Sequence, residues 1–378
     1  MNNIKLDFPI LDKKIRDKAI TYLDSAASTQ KPKQVINSIS EFLENSYENV
    51  HRGMNSLSID ATDLYEKSRD VAKNFINSNS TNEIIFTRGA TDSINIIANS
   101  LAEHLKEDDK IVVTELEHHS NYLPWMNLCK KLGLELKIIP ISKDGILSED
   151  DIINNCDDST KVLSLTHMSN VTGQILDIKK IKKSINKDTY VAVDGCQSIA
   201  HLKIDVKDLD CDFYSFSSHK LYGPSGIGIM YGKEDILNKL NPPTLGGGMI
   251  NEVSSNDFSY AMLPNKFEPG TPSIEAAIGF KTAMEYLNNN NYQDYFLNEK
   301  KLRSTLIKAL REFKEVDIYG SNEDGNATSI VSFNIKNQNF NDIATFLDQY
   351  GIMIRGGHHC CQPFMKKLGI PGSCRVSF

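Results

Sequence analysis

Apolar residues in this chain recur at two spacings that alternate along its length. Val35, Ile36, Ile39, Phe42 and Leu43 fall three and four residues apart, predicting an amphipathic helix over 33–47, and a second helix is expected over 61–76. Elsewhere stand short unbroken apolar runs such as Ile84-Ile85-Phe86, Ile111-Val112-Val113 and Val191-Ala192-Val193. Runs of that length, bounded by turn residues, predict buried strands. Strands are expected over 83–86, 110–114, 134–139, 161–166, 189–193 and 213–216, with helices over 93–101, 122–132, 150–154 and 178–185. Such alternation implies βαβ units, and so an α/β fold with a mostly parallel sheet and helices on both faces. Ligands of such sheets bind beyond the carboxyl ends of the strands.

The ends of the chain read differently. Residues 13–19 are expected to be helical and 246–272, with Gly246-Gly247-Gly248, to be loop. A helix over 274–287 runs into the tetrad Asn288-Asn289-Asn290-Asn291, which reads as a capping turn. A helix over 295–313, strands near 316 and over 330–335, a helix over 341–350 and a strand at 353–354 then form a smaller α+β unit. The expected division is a large unit, 16–290, and a small one made of 1–15 and 291–378.

Polar clusters punctuate the strand ends: His118-His119, Asn170, Asp194 to Gln197, and Ser217 to Lys220 each fall just after a predicted strand. A parallel sheet gathers them on one edge. A lysine at the mouth of a buried strand is poorly hydrated, which lowers an ammonium pKa and favours Schiff-base chemistry. Asp194, 26 residues before Lys220, supplies a carboxylate at another strand tip. Lysine for an aldehyde and carboxylate for a pyridinium nitrogen are what pyridoxal 5'-phosphate (PLP) requires. A buried ion pair kept for stability alone would be a poor investment of two charges. In that reading His118 or His119 packs on the cofactor ring and Asn170 reaches the ring hydroxyl. Thr91, Gln197, Ser217 and His219 are the candidate phosphate ligands. The turn Gly89-Ala90-Thr91 precedes a predicted helix whose first N–H groups are free to bind an anion. The small residues around Ala26 allow a ligand to approach closely.

Gly357-His358-His359-Cys360-Cys361 holds two histidines and two cysteines in succession. Consecutive side chains on an extended segment point to opposite faces, and zinc-site spacing is absent, so no metal is expected. A loop thiol beside basic groups, able to act as a thiolate, fits better.

From Tyr22 to the C-terminus the chain resembles the group II (SufS-like) cysteine desulfurases and selenocysteine lyases, which share a class V aminotransferase fold. The resemblance rests on N-V-H-R-G (49–53), F-T-R-G-A-T-D (86–92), E-H-H-S-N (117–121), S-N-V-T-G (169–173), V-D-G-C-Q (193–197), S-S-H-K (217–220), F-E-P-G-T-P (267–272) and R-G-G-H-H-C (355–360). It implies a PLP-dependent transferase of fold type I, a homodimer whose Gly270-Thr271 loop reaches the neighbouring subunit's phosphate. It implies that Lys220 holds PLP and abstracts the Cα proton of L-cysteine. Arg375, assisted by Asn170, clamps the substrate carboxylate, and Cys360 takes the sulfur as a persulfide, releasing alanine. His118 is the implied proton donor, while Arg355 and His51 shape the entrance. Ala90 replaces a hydroxyl residue common beside Thr91, and Cys361 is a departure that either accepts sulfur from Cys360 or stands by. L-Selenocysteine is the alternative substrate, and an inactive sulfur-trafficking or scaffold protein the alternative of another class. Relatives are expected to continue past Cys374-Arg375-Val376-Ser377-Phe378, which implies a truncated small unit with Arg375 near a fraying end. The resemblance also implies a SufE-like or SufU-like sulfur acceptor and a role in iron–sulfur cluster assembly.

Composition narrows the partners. A net charge of −7 argues against nucleic acid, and no apolar run approaches membrane-spanning length. Seven scattered cysteines without a C-x-x-C pair suit a reducing, cytoplasmic compartment rather than a disulfide framework.

Overall fold

A computed structural model describes residues 4–290, 293–320 and 326–378; Asn291, the last of the asparagine tetrad, lies outside these residues. Two 3-10 turns (Ile4–Asp7 and Pro9–Asp12) lead into β1 (Lys14–Ile15), β2 (Lys18–Ala19) and β3 (Thr21–Tyr22), then helices α1 (Lys33–Asn45) and α2 (Ser56–Phe75). The alternating region runs β4 (Ile84–Thr87), α3 (Ala90–Leu101), β5 (Lys110–Thr114), α4 (Leu123–Leu132), β6 (Glu135–Ile139), α5 (Glu149–Asn155) and β7 (Thr160–Thr166). It continues through α6 (Ile178–Ser184), β8 (Tyr190–Asp194), α7 (Val206–Leu209), β9 (Phe213–Ser217), β10 (Gly228–Gly232) and α8 (Glu234–Lys239). A hairpin of β11 (Ile250–Val253) and β12 (Phe258–Tyr260) and the long α9 (Ile274–Asn289) follow. The last third comprises α10 (Gln293–Arg311), β13 (Val316–Tyr319), β14 (Ile330–Ile335), α11 (Phe340–Asp348), β15 (Ile352–Met353), β16 (Arg355–Gly357), α12 (Gln362–Lys367) and β17 (Ser373–Ser377).

The main sheet has the order β4-β10-β9-β8-β7-β5-β6. Strands β5 to β9 are all parallel, and β10 alone runs antiparallel, to both β4 and β9. Alternate residues feed two cores. Val112, Leu163, Val191, Val193, Tyr214 and Phe216 pack on one face, Ile111, Val113, Val162, Ala192 and Phe213 on the other. Burial on both faces explains why these strands read as unbroken apolar runs. The antiparallel strand escaped the sequence reading because glycines bound it. Gly228 is needed there: a Cβ would lie 2.6 Å from the Gly89 Cα on the adjoining turn.

The second sheet is antiparallel, in the order β13-β14-β17-β16, while β15 pairs in parallel with β3. The backbone of Leu23 to Ser25 also bonds to Met353 and Ser377, so this early segment joins the second sheet. Asp7 and Phe8 contact Tyr286 and Tyr222.

Several expectations are corrected. Residues 13–19 form the β1–β2 hairpin, not a helix, because Arg16 and Asp17 take left-handed backbone angles (φ 49° and 62°) that turn the chain back. The supposed loop 246–272 contains the β11–β12 hairpin. Helix α2 starts five residues before position 61, at Ser56, where the Asn55 side chain accepts the Ser58 N–H and caps it. The fraying expected around Arg375 is absent: β17 is buried throughout and paired on both sides. Among the described residues no helix is long and apolar enough to cross a membrane.

Candidate active site

Because β5, β7, β8 and β9 are parallel neighbours, their carboxyl ends open on one edge, and the predicted clusters meet there. Asp194 closes β8 at 3% exposure, and its Oδ1 accepts the Cys196 N–H at 2.9 Å. On the next strand, β9 ends in a 3-10 turn, Ser218–Lys220, which leaves Lys220 half-buried at the mouth. The turn is held from behind: the His219 carbonyl accepts the Thr29 N–H (3.0 Å), the Thr29 and Ser28 hydroxyls (3.1 and 3.2 Å) and Lys31 Nζ (3.1 Å). Burial pushes Lys31 down to about 8.

His118 follows β5. Its Nδ1 accepts the Ser120 N–H at 3.1 Å, so a neutral ring carries its proton on Nε2. Burial, reinforced by Lys220, His119 and Arg375, pushes this histidine down to about 3. The ring is therefore neutral near pH 7, which suits packing on a planar group. His119 points elsewhere, toward the thiol loop, its N–H donating to the Cys360 carbonyl at 2.7 Å. Of the two histidines left open by the sequence, His118 is the one in electrostatic reach of Lys220.

At the start of α3 Gly89 has φ 146° and no side-chain cap, and the Ala90 N–H donates to Ser217 Oγ at 2.8 Å. Gly89, exposed Thr91, Ser217 and His219 line one cleft with Ser225 and Gly226. Burial, with Lys220 and Lys31 close, brings His219 down to about 4, so it is a neutral donor there. Gln197 is buried, its Nε2 donating to the Ala26 carbonyl at 2.9 Å. Ala26 is buried too, its N–H donating to Ser377 Oγ at 2.9 Å. Thr271 lies exposed on an adjoining cavity with Thr87, Arg88 and Thr244. That loop is fixed by Glu268, whose carboxylate takes Arg69 (2.6 Å) and the Phe86 N–H (2.7 Å). His51 sits against Glu66 (2.9 Å) and Tyr65 on α2, with no contact to Arg355 or the thiol loop among the described residues.

The thiol loop follows β16 of the second sheet. Gly357, His359 and Cys360 all have positive φ (142°, 53° and 53°), and for the two non-glycine residues this costs about 1–2 kcal/mol each. Four bonds hold them: Cys360 N–H to His358 Nδ1 (3.1 Å), the His119 N–H to the Cys360 carbonyl, the Asn170 Nδ2 to the His359 carbonyl (2.8 Å), and His359 Nε2 to Ser373 (3.0 Å). Asn170 thus braces the loop with the amide group assigned above to the cofactor. Cys360 is exposed at the tip. Cys361 is fully buried, its Sγ set against the carbonyls of Glu117 (3.2 Å) and Leu116 (3.5 Å), and burial raises its thiol far above the usual range. The four side chains of 358–361 therefore go to different places.

Arg375, 3% exposed on β17, donates through Nη1 to the Asn170 carbonyl (3.0 Å) and through Nη2 to Asp24 Oδ1 (3.1 Å). Its Nε is buried with no partner among the described residues. Arg355, directly opposite on β16, engages both oxygens of Asp24 at 2.8–3.1 Å. The sequence singled out no role for Asp24, and no local signal pairs it with residues so distant in sequence. Glu117, fully buried after β5, was likewise missed; burial raises it to about 8 while Thr114 and Asn121 donate to its oxygens at 2.7 and 2.6 Å.

The family description "aminotransferase class-V" matches residues 21–378. A protein of Staphylococcus epidermidis named a probable cysteine desulfurase is 44% identical over 98% of this chain and 90% of its own length. One of Staphylococcus aureus with the same name is 42% identical over 100% of this chain and 92% of its own. The solved apo cysteine desulfurase of Thermococcus onnurineus superposes with a TM-score of 0.94 at 36% identity, covering 100% of this chain and 92% of that one. A cysteine desulfurase of Escherichia coli gives 0.90 at 33% identity, over 99% and 92%. The motifs at the strand ends thus mark a fold of PLP-dependent enzymes, and the chain belongs to the aminotransferase class-V family.

Proposed function

We infer that this protein is a PLP-dependent cysteine desulfurase of the SufS-like group, converting L-cysteine to L-alanine with a persulfide on Cys360. The observation that carries the reading is the convergence of Lys220, Asp194 and neutral His118 at one sheet edge with an exposed, loop-borne thiol. The residues present fit the cofactor: the uncapped start of α3 beside Ser217 and His219 forms a cradle that a Cβ at Gly89, 3.2 Å from Ser217 Oγ, would begin to fill.

Thr91, Ser217, His219 and the first N–H groups of α3 would hold the phosphate, Asp194 the ring nitrogen, and His118 one ring face. Bound there, the cofactor supplies the electron sink that lets a Cα proton leave. Lys220 is the base at that carbon. Arg375 takes the substrate carboxylate through its unpartnered edge, since a buried guanidinium N–H without an acceptor favours an anion. Cys360, within electrostatic reach of Arg355 and Arg375, accepts the sulfur; an S–S bond forms as the carbon–sulfur bond breaks. Thr271 and His51 lie apart from their own site, which supports a homodimer in which each serves the second copy. The large unit 16–290 then carries the cofactor and the small unit, 1–15 with 291–378, the thiol loop, in a cytoplasmic enzyme handing sulfur to a SufE-like or SufU-like acceptor for iron–sulfur clusters.

The test is the absorbance of purified protein together with alanine release from L-cysteine. A yellow protein that makes alanine, and a Cys360→Ser variant that stays yellow but makes none, are expected. A folded protein that remains colourless with added PLP sinks the reading. Alanine formed from L-selenocysteine but not from L-cysteine would move the activity to a selenocysteine lyase.

A further inference from the structure

Arg355 and Arg375 face one another across the β16–β17 pair as register partners. Like charges directly opposite on a sheet repel. Only one acidic side chain bonds to them among the described residues: Asp24, from the segment between β3 and α1, accepts Arg355 at Nε (3.1 and 3.0 Å) and Nη2 (2.8 Å), and Arg375 at Nη2 (3.1 Å). The carboxylate is placed by backbone, not by chance. Leu23 N–H bonds to Met353, Ser25 N–H and Ser377 N–H complete a bridge at Asp24, and the Tyr22 hydroxyl pins the Ser28 carbonyl at 2.6 Å. Two guanidiniums and one carboxylate leave a local charge of one positive unit. The leftover donor is specific: Arg355 has turned its Nε side fully to Asp24, whereas Arg375 keeps a buried Nε with no acceptor.

We propose that Asp24 is a positioning residue that sorts the two arginines, retaining Arg355 as an anchor of the thiol loop and leaving the free edge of Arg375 to the substrate carboxylate. This rests on Arg375 being that carboxylate's clamp. Asp24 touches neither substrate nor cofactor in this role; it fixes which guanidinium edge is offered and neutralises one of two opposed cations. The residue also couples the two halves of the site. Arg355 opens β16, which leads through Gly357 into Cys360, so the carboxylate that orients the clamp also holds the base of the loop carrying the thiol. Removing its charge lets both arginines compete for one incoming carboxylate. Substrate is then bound in more than one pose, and the sulfur is presented less often to Cys360.

The experiment compares L-cysteine with L-cysteine methyl ester as substrates of the holoenzyme, reading alanine or alanine ester release. The ester keeps the thiol and amine but lacks the anion. Asp24→Asn should raise KM for L-cysteine by about tenfold, the scale on which losing one member of a partly buried, hydrogen-bonded charge pair acts, and leave KM for the ester within about twofold. Asp24→Glu, which keeps the charge, should recover part of the acid-over-ester preference; it also serves if the Asn variant fails to fold. The hold on the thiol loop acts on kcat for both substrates, so equal rises in KM for acid and ester would make Asp24 a merely structural residue and overturn the proposal. Arg375→Lys separates the two readings. If it leaves the acid-over-ester preference intact, the clamp assignment itself fails; if it abolishes the preference while both Asp24 variants retain it, only the sorting role does.

Discussion

At the scale of single residues, adjacent cysteines receive opposite fates from one turn of backbone. Positive φ at His359 and Cys360 throws the Cys360 side chain outward, while the next residue turns in beneath Leu116 and Glu117. The thiol of Cys361 has no solvent contact, and burial holds it protonated, so it lacks the thiolate that sulfur transfer requires. Of the two sequence-level options for Cys361, the geometry supports the bystander. Its work is to tie the thiol loop to the segment bearing His118. Cys361→Ala is therefore expected to retain the persulfide on Cys360, seen by mass spectrometry, and most of the alanine output. Stability should fall by about 1 kcal/mol in a denaturant titration, the ordinary size of a small core deletion. Loss of persulfide with the fold intact would show Cys361 to be part of the relay. No spacing rule separates the two cysteines, since the decisive variable is a pair of backbone angles fixed by Asn170 and His119 from other elements.

At the scale of elements, strand β17 carries the largest departure from expectation. Its sequence Ser373-Cys374-Arg375-Val376-Ser377 lies at the end of the chain, where fraying is the usual assumption. It is nonetheless flanked by β14 and β16, and Ser377 bonds to Leu23 and Ala26. Hydrogen–deuterium exchange should find peptides covering 373–377 as protected as those of β14 at 330–335; exchange within seconds would mean that the proposed carboxylate clamp is not held in place. Such pairing is non-local and leaves no trace in the pattern of apolar positions. The parallel strands were legible because each is buried on both faces and so is apolar without interruption. The β11–β12 hairpin was not, because most of its residues are exposed and its alternation is weak. The β1–β2 hairpin imitated a helix through Ile15 and Ala19, four residues apart, and turns on Arg16 and Asp17 rather than on glycine. The candidate site followed the same division: side chains at strand ends could be named from the sequence, whereas Asp24 and Lys31, which hold them, act across the fold.

At the scale of the whole molecule, one buried carboxyl gives stability a pH dependence of predictable sign. Glu117 has no solvent exposure, and desolvation raises it to about 8, with Asp194 adding to the rise and the bonds from Asn121 and Thr114 opposing it. In the unfolded chain a glutamate titrates near 4.3. Between these values the folded protein holds a proton that the unfolded one has released, so stability is greatest below the unfolded pKa and declines as pH rises toward 8. Above that point the carboxylate is charged in both states and the decline from this group ends. Each pK unit of difference is worth roughly 1.4 kcal/mol, so the effect is on the order of a few kcal/mol. Glu117→Gln keeps one oxygen to accept from Asn121, gives up the oxygen that accepts from Thr114, and removes the ionisation. Unfolding midpoints of the holoenzyme measured from pH 5 to 9 should fall less with pH in this variant, and the gap between the proteins should widen up to about pH 8. Parallel pH profiles would mean that Glu117 is ionised in the fold, paired with a charge that its neighbours Thr114, Asn121 and Cys361 do not supply.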